Sequence, residues 1–258
     1  MRGTHQERGR AEGFGALATT YEQLRPSYPK ELVHWLSQHG TGTAVDVGCG
    51  TGRVASLLSD SGWSVIGVEP DTRMAAIASA HGIQVVVAPF EQCGLPGDSY
   101  DLVCAGTAWH WIDPAIGYDI AATLLRHGGQ FAVFRNSYIY DPDIAHVIDT
   151  ALQRHAPNLL HDCIPLGTAS KPLVESHAQE MSARSDLFTE LDRQTFTHER
   201  LVTAQDWIKE LETHSPIATL DQGTRTRLLG ELAQYAAASS GNQLRIRHET
   251  PCVAVKRR

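Results

Sequence analysis

AVDVGCGTG, residues 44–52, joins an apolar run to three closely spaced glycines. The run from Ala44 to Val47 predicts a buried β-strand, and the stretch from Arg53 to Asp60 predicts a helix directly after the glycines. Glycines at such a junction allow the backbone to approach a ligand closely and leave the amide groups of the helix N-terminus exposed. The segment therefore predicts a strand, a binding loop and a helix that open an α/β fold.

The same alternation continues to about residue 136. Short β-branched runs alternate with amphipathic stretches, and this order is typical of a buried parallel sheet with helices on both faces. Such a sheet binds its ligand at the carboxyl ends of the strands. The further predicted strands are SVIGVE (64–69), Val85 to Ala88, Asp101 to Gly106 and QFAVFR (130–135), and the predicted helices are Asp71 to His81, with Asp71 as its cap, and Asp113 to about Arg126.

Beyond Asn136 helical stretches become more frequent. Helices are predicted at Asp143 to Arg154, Lys171 to Arg184, Ala204 to Glu212 and Thr224 to Ala238, and strands at Leu187 to Glu199 and in residues 243–257. The complete prediction is an α/β, Rossmann-like doubly wound sheet of seven strands, with helices on both faces and helical insertions that form a lid. Residues 1–40 are predicted as an arm and helices that would cover a bound cofactor, 41–136 as the core, 137–185 as the lid, and 186–258 as the last strands with a second helical insert.

The composition excludes several classes of protein. The chain has 258 residues, 42% hydrophobic and 20% charged, which is sufficient for a full apolar core. Its 22 Lys and Arg against 29 Asp and Glu give a net charge of -7, so nucleic acid is disfavoured as a partner. No apolar run approaches the roughly 20 residues of a membrane helix, so no membrane association is predicted.

Cysteine usage and the N-terminus predict a cytoplasmic location. The five cysteines are scattered, odd in number and without a CxxC pair, as expected of reduced thiols. The polar start MRGTHQERGRAEGFG has no apolar stretch behind its arginines and is interpreted as an arm instead of a secretory signal.

The spacing of the glycines indicates the class of ligand. Glu69 ends the second predicted strand about twenty residues after the loop, where a carboxylate can accept hydrogen bonds from both hydroxyls of a ribose. A dinucleotide fold uses GxGxxG, whereas Gly48, Gly50 and Gly52 form GxGxG with Asp46 just before them. These residues predict a nucleoside-binding crevice and make a pyrophosphate site the poorer match.

Three longer segments carry a resemblance to a known family. VDVGCGTG, VIGVEPDTRM and CGLPGDSYDLVCAGTAWHWIDP resemble the class I S-adenosylmethionine-dependent methyltransferases. YEQLRPSYP, residues 21–29, is similar to a segment of the methyltransferase type 11 and trans-aconitate methyltransferase-like small-molecule subgroup. The resemblance implies S-adenosyl-L-methionine as cofactor and S-adenosyl-L-homocysteine as product.

The resemblance also implies which residues bind the cofactor. Asp46 supports its methionine end, Gly48 and Gly50 approach the methionyl and ribose groups, and Glu69 takes the ribose hydroxyls. Tyr21 and Arg25, on an N-terminal helix that closes over the site, are expected near its carboxylate. The adenine is expected beside Pro70 and Met74, and, since Pro89 replaces an acidic residue frequent in the family, beside Phe90 and Glu91; Ala105 completes the predicted set.

The acceptor side is predicted at the end of the fourth strand. Trp109 and Trp111 can shield the reaction from water and attract a sulfonium through their ring faces. His110 is a candidate general base, because an imidazole titrates near about pH 6.5, and a structural histidine is the alternative. The resemblance adds His214 of ELETHSP as an acceptor-pocket residue, although termination of a helix at Pro216 explains that segment equally well.

The predicted function is transfer of a methyl group, by in-line displacement, to an oxygen, sulfur, nitrogen or carbon atom of a small molecule, either a secondary metabolite or a carboxylate. The predicted assembly is a monomer or homodimer. An NAD(P)-dependent oxidoreductase and a non-catalytic S-adenosylmethionine-binding protein are the alternatives. No metal is predicted, because Asp141, Asp143 and His146 fit a helix start and because His155, His161 and Cys163 match no zinc spacing.

Overall fold

The computed structural model describes residues 18–159, 170–238 and 243–258. The arm ahead of residue 18, with His161 and Cys163, lies outside the described residues. Within them, no helix combines the length and the apolar composition needed to cross a membrane.

The core elements follow the predicted alternation. One connection differs from the prediction. HGG (127–129) was expected to separate the helix that Asp113 caps from the fifth strand, but it lies inside that strand. Gly128 has φ +75° there, and the pairing with the fourth strand shifts register. The elements are β1 Thr43–Val47, α3 Arg53–Asp60, β2 Ser64–Val68, α4 Thr72–Ala80, β3 Gln84–Val86, β4 Tyr100–Gly106, α5 Pro114–Leu124 and β5 Leu125–Phe134, after two N-terminal helices, α1 Ala18–Leu24 and α2 Lys30–Leu36.

The second half of the chain contributes three strands and five helices among the described residues. These are β6 Ser137–Ile139, α6 Pro142–His155, α7 Ser170–Ala183, β7 Phe188–Thr203, α8 Ala204–Glu212, α9 Ser215–Ala218, α10 Gln222–Ala238 and β8 Gln243–Arg257. The sequence did not predict β6, because three residues are too few for an alternating pattern to be recognised.

The strands form one sheet in the order β3-β2-β1-β4-β5-β8, with β7 on the far side of β8. Strands β1 to β5 are parallel, whereas β8 runs antiparallel to both β5 and β7. Strands β5 and β6 pair with successive parts of the same edge of β8, so the two share one position across the sheet. The eight strands therefore form a sheet that is seven strands wide. The predicted Rossmann-like sheet is confirmed, with β6 as an addition.

Helix α7 corrects part of the predicted lid. Its residues Val174, Ala178 and Met181 pack in the same apolar core as Val253 and Val255 of β8. This helix is therefore one of the layers on the sheet, because its apolar residues recur at helical spacing and are buried there.

Helix α6 belongs to a second apolar core away from the sheet centre. Its Ile148 packs in one cluster with Trp207 of α8 and Leu232 of α10. This cluster attaches the helical inserts to the hairpin of β7 and β8 through Ile246.

The N-terminal helix α1 is held through its last turn. Arg53, the first residue of α3, donates hydrogen bonds to the carbonyl groups of Tyr21 and Glu22. Arg200 of β7 donates to the carbonyl of Leu24 at 3.2 Å. The carbonyl of Tyr21 also accepts from the amide of Arg25 at 3.1 Å. The two arginines thus bind carbonyls of the last turn, which often lack partners within a helix, and fix α1 near the glycine loop that precedes α3.

Candidate active site

The loop between β1 and α3 depends on glycine at three positions. Gly48, Gly50 and Gly52 have φ of +63°, +57° and +88°, a left-handed conformation that costs other L-residues about 1 kcal/mol or more. At Gly48 there is a second requirement, because an added Cβ would lie 2.5 Å from the Cβ of Ala108. The loop is thus fixed both by its own dihedral angles and by its contact with the segment after β4.

Glu69 lies next to this loop, as predicted from the sequence. Its Oε2 accepts a hydrogen bond from the amide of Gly50 and its Oε1 from the amide of Asp71, both at 2.9 Å. Burial raises the pKa of Glu69, and the two amide hydrogen bonds oppose that increase. Two backbone donors therefore hold this carboxylate at the carboxyl ends of β1 and β2.

The start of α4 adds an apolar contact to the same place. Asp71 caps the helix, as predicted, by accepting from the amides of Arg73 and Met74. The Cε of Met74 lies 3.4 Å from an ideal Cβ built on Gly50, so this side chain lies against the loop. Pro70 is exposed beside it.

Asp46 is a buried carboxylic acid behind the glycines. It is 1% exposed, and its Oδ2 accepts from the amide of Ala55 in α3 at 3.0 Å. Burial raises the pKa of Asp46 to about 8, opposed by the Ala55 amide and assisted by the nearby charge of Glu69. A positively charged ligand group at this position would favour the ionised form of Asp46.

Thr51 is a loop residue that sequence reasoning missed. Its hydroxyl is buried and has no hydrogen-bond partner among the described residues. Buried polar atoms are nearly always satisfied, so an orphaned hydroxyl in a binding loop is consistent with a ligand that brings a polar group.

Arg25 is hydrogen-bonded within the chain. Its Nε donates to the hydroxyl of Thr213 at 2.8 Å and its Nη2 to the carbonyl of Thr213 at 3.1 Å. The guanidinium also lies 5.1 Å from the ring centroid of Tyr21, at the distance of a cation–π contact. The structure thus brings the predicted pair Tyr21 and Arg25 together, and contact with a cofactor carboxylate stays a prediction.

Tyr28 and Thr107 link the N-terminal segment to the end of β4, and sequence reasoning missed both. Their hydroxyl groups are 2.8 Å apart. Thr107 has φ +57°, which is strained for a β-branched residue, and its amide donates to the carbonyl of Phe134 at 2.8 Å. The YP of the segment RPSYP was the available signal for Tyr28, and strained residues such as Thr107 concentrate at functional sites.

The structure separates the three residues of Trp109–Trp111. Trp109 is 2% exposed and packs on Phe131, with ring centroids 4.6 Å apart. Its predicted role as an acceptor-facing residue is therefore corrected to a core residue. His110 and Trp111 are partly exposed, their ring centroids are 4.9 Å apart, and they stay the candidates at this strand end.

Two residues predicted to bind the cofactor also lie in the core. The ring of Phe90 is 2% exposed and meets Trp109 edge-on at 5.8 Å, so it is not presented for stacking on a base. Ala105 in β4 is completely buried in the same core and could offer a ligand only its backbone. Glu91 is partly exposed, and its Oε1 accepts from the amide of Asp113 at 3.1 Å.

His214 lies on the other side of Arg25. It is 3% exposed, and its ring meets Tyr138 edge-on at a centroid distance of 5.3 Å. Tyr138 donates to Oε1 of Glu210 at 2.6 Å, and Arg200 donates to Oε2 of the same carboxylate. Burial, and then the positive charges of Arg25, Arg135 and Arg200, hold the pKa of His214 well below its usual value, so its imidazole is neutral.

No group of three His, Cys, Asp or Glu side chains converges as a metal site within the described part of the chain. Asp141 stands at the N-terminus of α6 and Asp143 lies in its first turn, while His155 is 2.7 Å from Glu231.

The sheet order, with the glycine loop and a buried acid at the end of the next strand, defines a Rossmann-like α/β fold, in which ligands bind at the carboxyl ends of the strands. Residues 45–133 match the family model of the methyltransferase domain. The matched segment contains most of β1, the glycine loop, Glu69 and strands β2 to β4.

Individual relatives are likewise described as methyltransferases. An uncharacterised methyltransferase of Mycobacterium tuberculosis is 34% identical over 136 residues, covering 52% of this chain and 56% of that protein. The chain thus spans about half the length of the curated relatives it matches first.

Solved structures share the fold over a longer range. One from Anaeromyxobacter dehalogenans, described as a candidate type II methyltransferase, has a TM-score of 0.70 at 25% identity and covers 90% of this chain and 97% of its own. Phosphoethanolamine N-methyltransferase 2 of Haemonchus contortus, in complex with S-adenosyl-L-methionine, has a TM-score of 0.52 at 15% identity and covers 95% of this chain and 57% of its own.

Proposed function

We propose that this chain transfers a methyl group from S-adenosyl-L-methionine to a small-molecule acceptor. The observation that carries the proposal is the position of the Glu69 carboxylate beside the glycine loop. Its two oxygens accept hydrogen bonds from the amides of Gly50 and Asp71, both at 2.9 Å. A carboxylate fixed in this way still has lone pairs with which to accept hydrogen bonds from two ribose hydroxyls.

The surroundings of Glu69 support the same ligand. The side chain of Met74 lies against Gly50 and, with Pro70, provides an apolar boundary for an adenine. Asp46, buried behind the loop, would stabilise the amino group of the methionine end. The orphaned hydroxyl of Thr51 adds a polar contact that a bound cofactor would satisfy.

S-adenosyl-L-methionine supplies a methyl group on a positively charged sulfur. The protein then has to hold the acceptor in line and exclude water, and positioning of this kind contributes several kcal/mol to lowering the barrier. Trp111, at the end of β4, would shield the transferring group from solvent. His110 beside it would accept the acceptor's proton where the acceptor atom carries one.

Two features favour a small molecule as the acceptor. The net charge of -7 opposes binding to a phosphate backbone. The helical inserts, from α6 and from α8 to α10, form a separate apolar core near the acceptor end of the sheet and could enclose a small ligand. We further propose a monomer or homodimer in a reducing, cytoplasmic environment, where free thiols such as Cys49 and Cys104 persist.

The test is calorimetric titration of the protein with S-adenosylhomocysteine, with NADH titrated into the same preparation. We expect micromolar binding of S-adenosylhomocysteine and no heat from NADH. Glu69→Gln should weaken the binding of S-adenosylhomocysteine by about 1 to 3 kcal/mol, because a charge-assisted pair of hydrogen bonds is lost. The matched control is Glu175→Gln, an exposed carboxylate that pairs with Arg193 at 3.1 Å on another face.

NADH binding would favour the oxidoreductase alternative. Binding of S-adenosylhomocysteine without methylation of any compound in a broad acceptor library, followed by mass spectrometry, would favour a non-catalytic binding protein. Unchanged affinity in Glu69→Gln would remove this residue from the site.

A further inference from the structure

Arg135, the residue after β5, has guanidinium atoms from which no described residue accepts a hydrogen bond. Its Nε and Nη1 atoms are buried and have no hydrogen-bond acceptor among the described residues. Burial lowers the pKa of Arg135 to about 10, with the positive charge of Arg25 acting in the same direction and nearby tyrosines opposing it. The guanidinium is therefore still charged at neutral pH.

The neighbouring groups do not compensate this charge. Arg25, Arg135 and Arg200 all act on His214, whereas the carboxylate of this cluster is Glu210. Glu210 is 1% exposed and already accepts hydrogen bonds from Tyr138 and Arg200. Among the described residues that act on one another here, three guanidinium groups therefore face one carboxylate.

Arg135 differs in its hydrogen bonding from three other partly buried arginines of the region. Arg25, Arg53 and Arg200 each donate to backbone carbonyls or side chains that they hold in place. Nε and Nη1 of Arg135 donate to no group in the described part of the chain, so holding a neighbouring segment in place does not explain the position of its side chain. Buried charges without a partner are strongly unfavourable and are expected where a ligand supplies the partner.

The position of Arg135 is on the acceptor side of the proposed cofactor site. The carbonyl of the preceding residue, Phe134, accepts a hydrogen bond from the amide of Thr107, so the ends of β4 and β5 are directly adjacent. Tyr28 bonds to Thr107 and interacts electrostatically with both Asp46 and Arg135. Arg135 thus lies beyond the methionine end of the proposed cofactor site, on the side away from Glu69 and the adenine.

His214 provides a second unused polar atom in the same cluster. Its Nε2 is buried without a partner among the described residues. A neutral imidazole with its proton on Nε2 donates a hydrogen bond without adding charge.

We propose that Arg135 and His214 form an oxyanion subsite that binds a carboxylate or phosphate group of the methyl acceptor. This inference rests on the proposed methyltransferase function and specifies its acceptor as an anion. The ligand's negative charge would pair with Arg135 in a partly desolvated place, where charge-assisted hydrogen bonds are strongest.

The experiment uses the full chain saturated with S-adenosylhomocysteine and three small probes: malonate, inorganic phosphate and the neutral analogue malonamide. Binding is measured by calorimetry and by the thermal unfolding midpoint. We expect malonate, phosphate or both to bind and raise the midpoint, and malonamide to have no effect. The probe that binds identifies the anion as a carboxylate or a phosphate.

Arg135→Met should weaken the affinity for the anion by at least about tenfold. The control variant Arg193→Met, at an exposed site, should bind the anion as the wild type does. The ligand-free Arg135→Met protein should also unfold at the same or a higher temperature, because an uncompensated buried charge is removed. A structural arginine would give the opposite shift. Arg135→Gln serves as a second variant and should lose the anion in the same way.

Three results would overturn the inference. The first is that neither anion binds the loaded wild-type protein. The second is that Arg135→Met binds the anion normally. The third is that Arg135→Met weakens S-adenosylhomocysteine but not 5′-methylthioadenosine, which lacks the carboxylate, because Arg135 would then bind the cofactor. Failure of S-adenosylhomocysteine to bind the wild type would instead reject the proposed function itself.

Discussion

The Nε atom of Arg25 donates a 2.8 Å hydrogen bond to the hydroxyl of Thr213, 188 positions further along the chain. That hydroxyl in turn donates to the carbonyl of Glu210 at 2.6 Å. The contact joins the RP segment near the N-terminus to the residue that follows α8, and we propose that these two segments, remote in sequence, together close one side of the acceptor pocket.

We expect Arg25→Met to loosen this closure. Loss of hydrogen bonds from a charged donor should destabilise the protein by about 1.5 to 3 kcal/mol and increase amide hydrogen exchange in α1. Thr213→Val, which keeps the carbonyl acceptor, should have a smaller effect of the same kind. Mass spectrometry of hydrogen exchange checks both, and equal protection of α1 in Arg25→Met and wild type would contradict the interpretation.

Gly48→Ala should be more damaging than a glycine replacement elsewhere. An alanine at Gly48 meets both an unfavourable φ and a Cβ 2.5 Å from Ala108, whereas at Gly82, with φ +83°, nothing lies within 4 Å. Both variants pay about 1 to 2 kcal/mol for the left-handed backbone, and overpacking adds about 1 to 3 kcal/mol at Gly48 only. Urea unfolding measures the difference, and equal losses would show that Ala108 moves freely aside.

The stability of the protein should depend on pH through Asp46. Its pKa of about 8 in the folded protein exceeds the value of about 3.9 in an unfolded chain, so the folded state holds a proton that the unfolded state releases. The contribution of Asp46 is therefore full below about pH 4 and is lost as the pH rises to about 8.

Asp46→Asn should remove this dependence while its amide oxygen still accepts from Ala55. Urea unfolding at about pH 5 and about pH 8.5 should show a decrease in the free energy of unfolding of several kcal/mol in the wild type and a smaller decrease in the variant. Parallel pH profiles for the two proteins would show that Asp46 is ionised in the fold.

Replacement of the two tryptophans by alanine should separate a core role from a site role. Trp109→Ala removes a ring packed on Phe131 and should cost about 3 to 5 kcal/mol of stability. Trp111→Ala removes a partly exposed ring and should change stability much less, while lowering methyl transfer once an acceptor is known. A stable Trp109→Ala protein with impaired acceptor binding would restore the original prediction for Trp109.

The strands and the glycine loop could be predicted because their signals are local. Apolar residues from Ala44 to Val47 and the glycines after them fix a strand and a turn through burial and dihedral angles, with little need of other segments. The two final strands followed from β-branched runs, and Glu69 followed from its place at the end of β2.

The misassigned residues were those whose direction depends on packing. Ala105 lies near the end of β4, and Phe90 and Trp109 begin short 3-10 helices just after strands, yet all three side chains enter the core. Which side of such a short turn is buried depends on the segments that pack against it, as Phe131 does against Trp109. A helical pattern in α7 could not specify whether its apolar side would cover the sheet or a pocket.

The sequence by itself thus determined the order of strands and helices, the glycine loop and its acidic partner, since each is set by neighbouring residues. Only the tertiary structure decided that Arg25 meets Thr213, that Tyr28 reaches Thr107, and that Nε and Nη1 of Arg135 find no acceptor among the described residues. Such relationships join residues from distant segments, and their energies arise from burial and from distances that no local pattern contains.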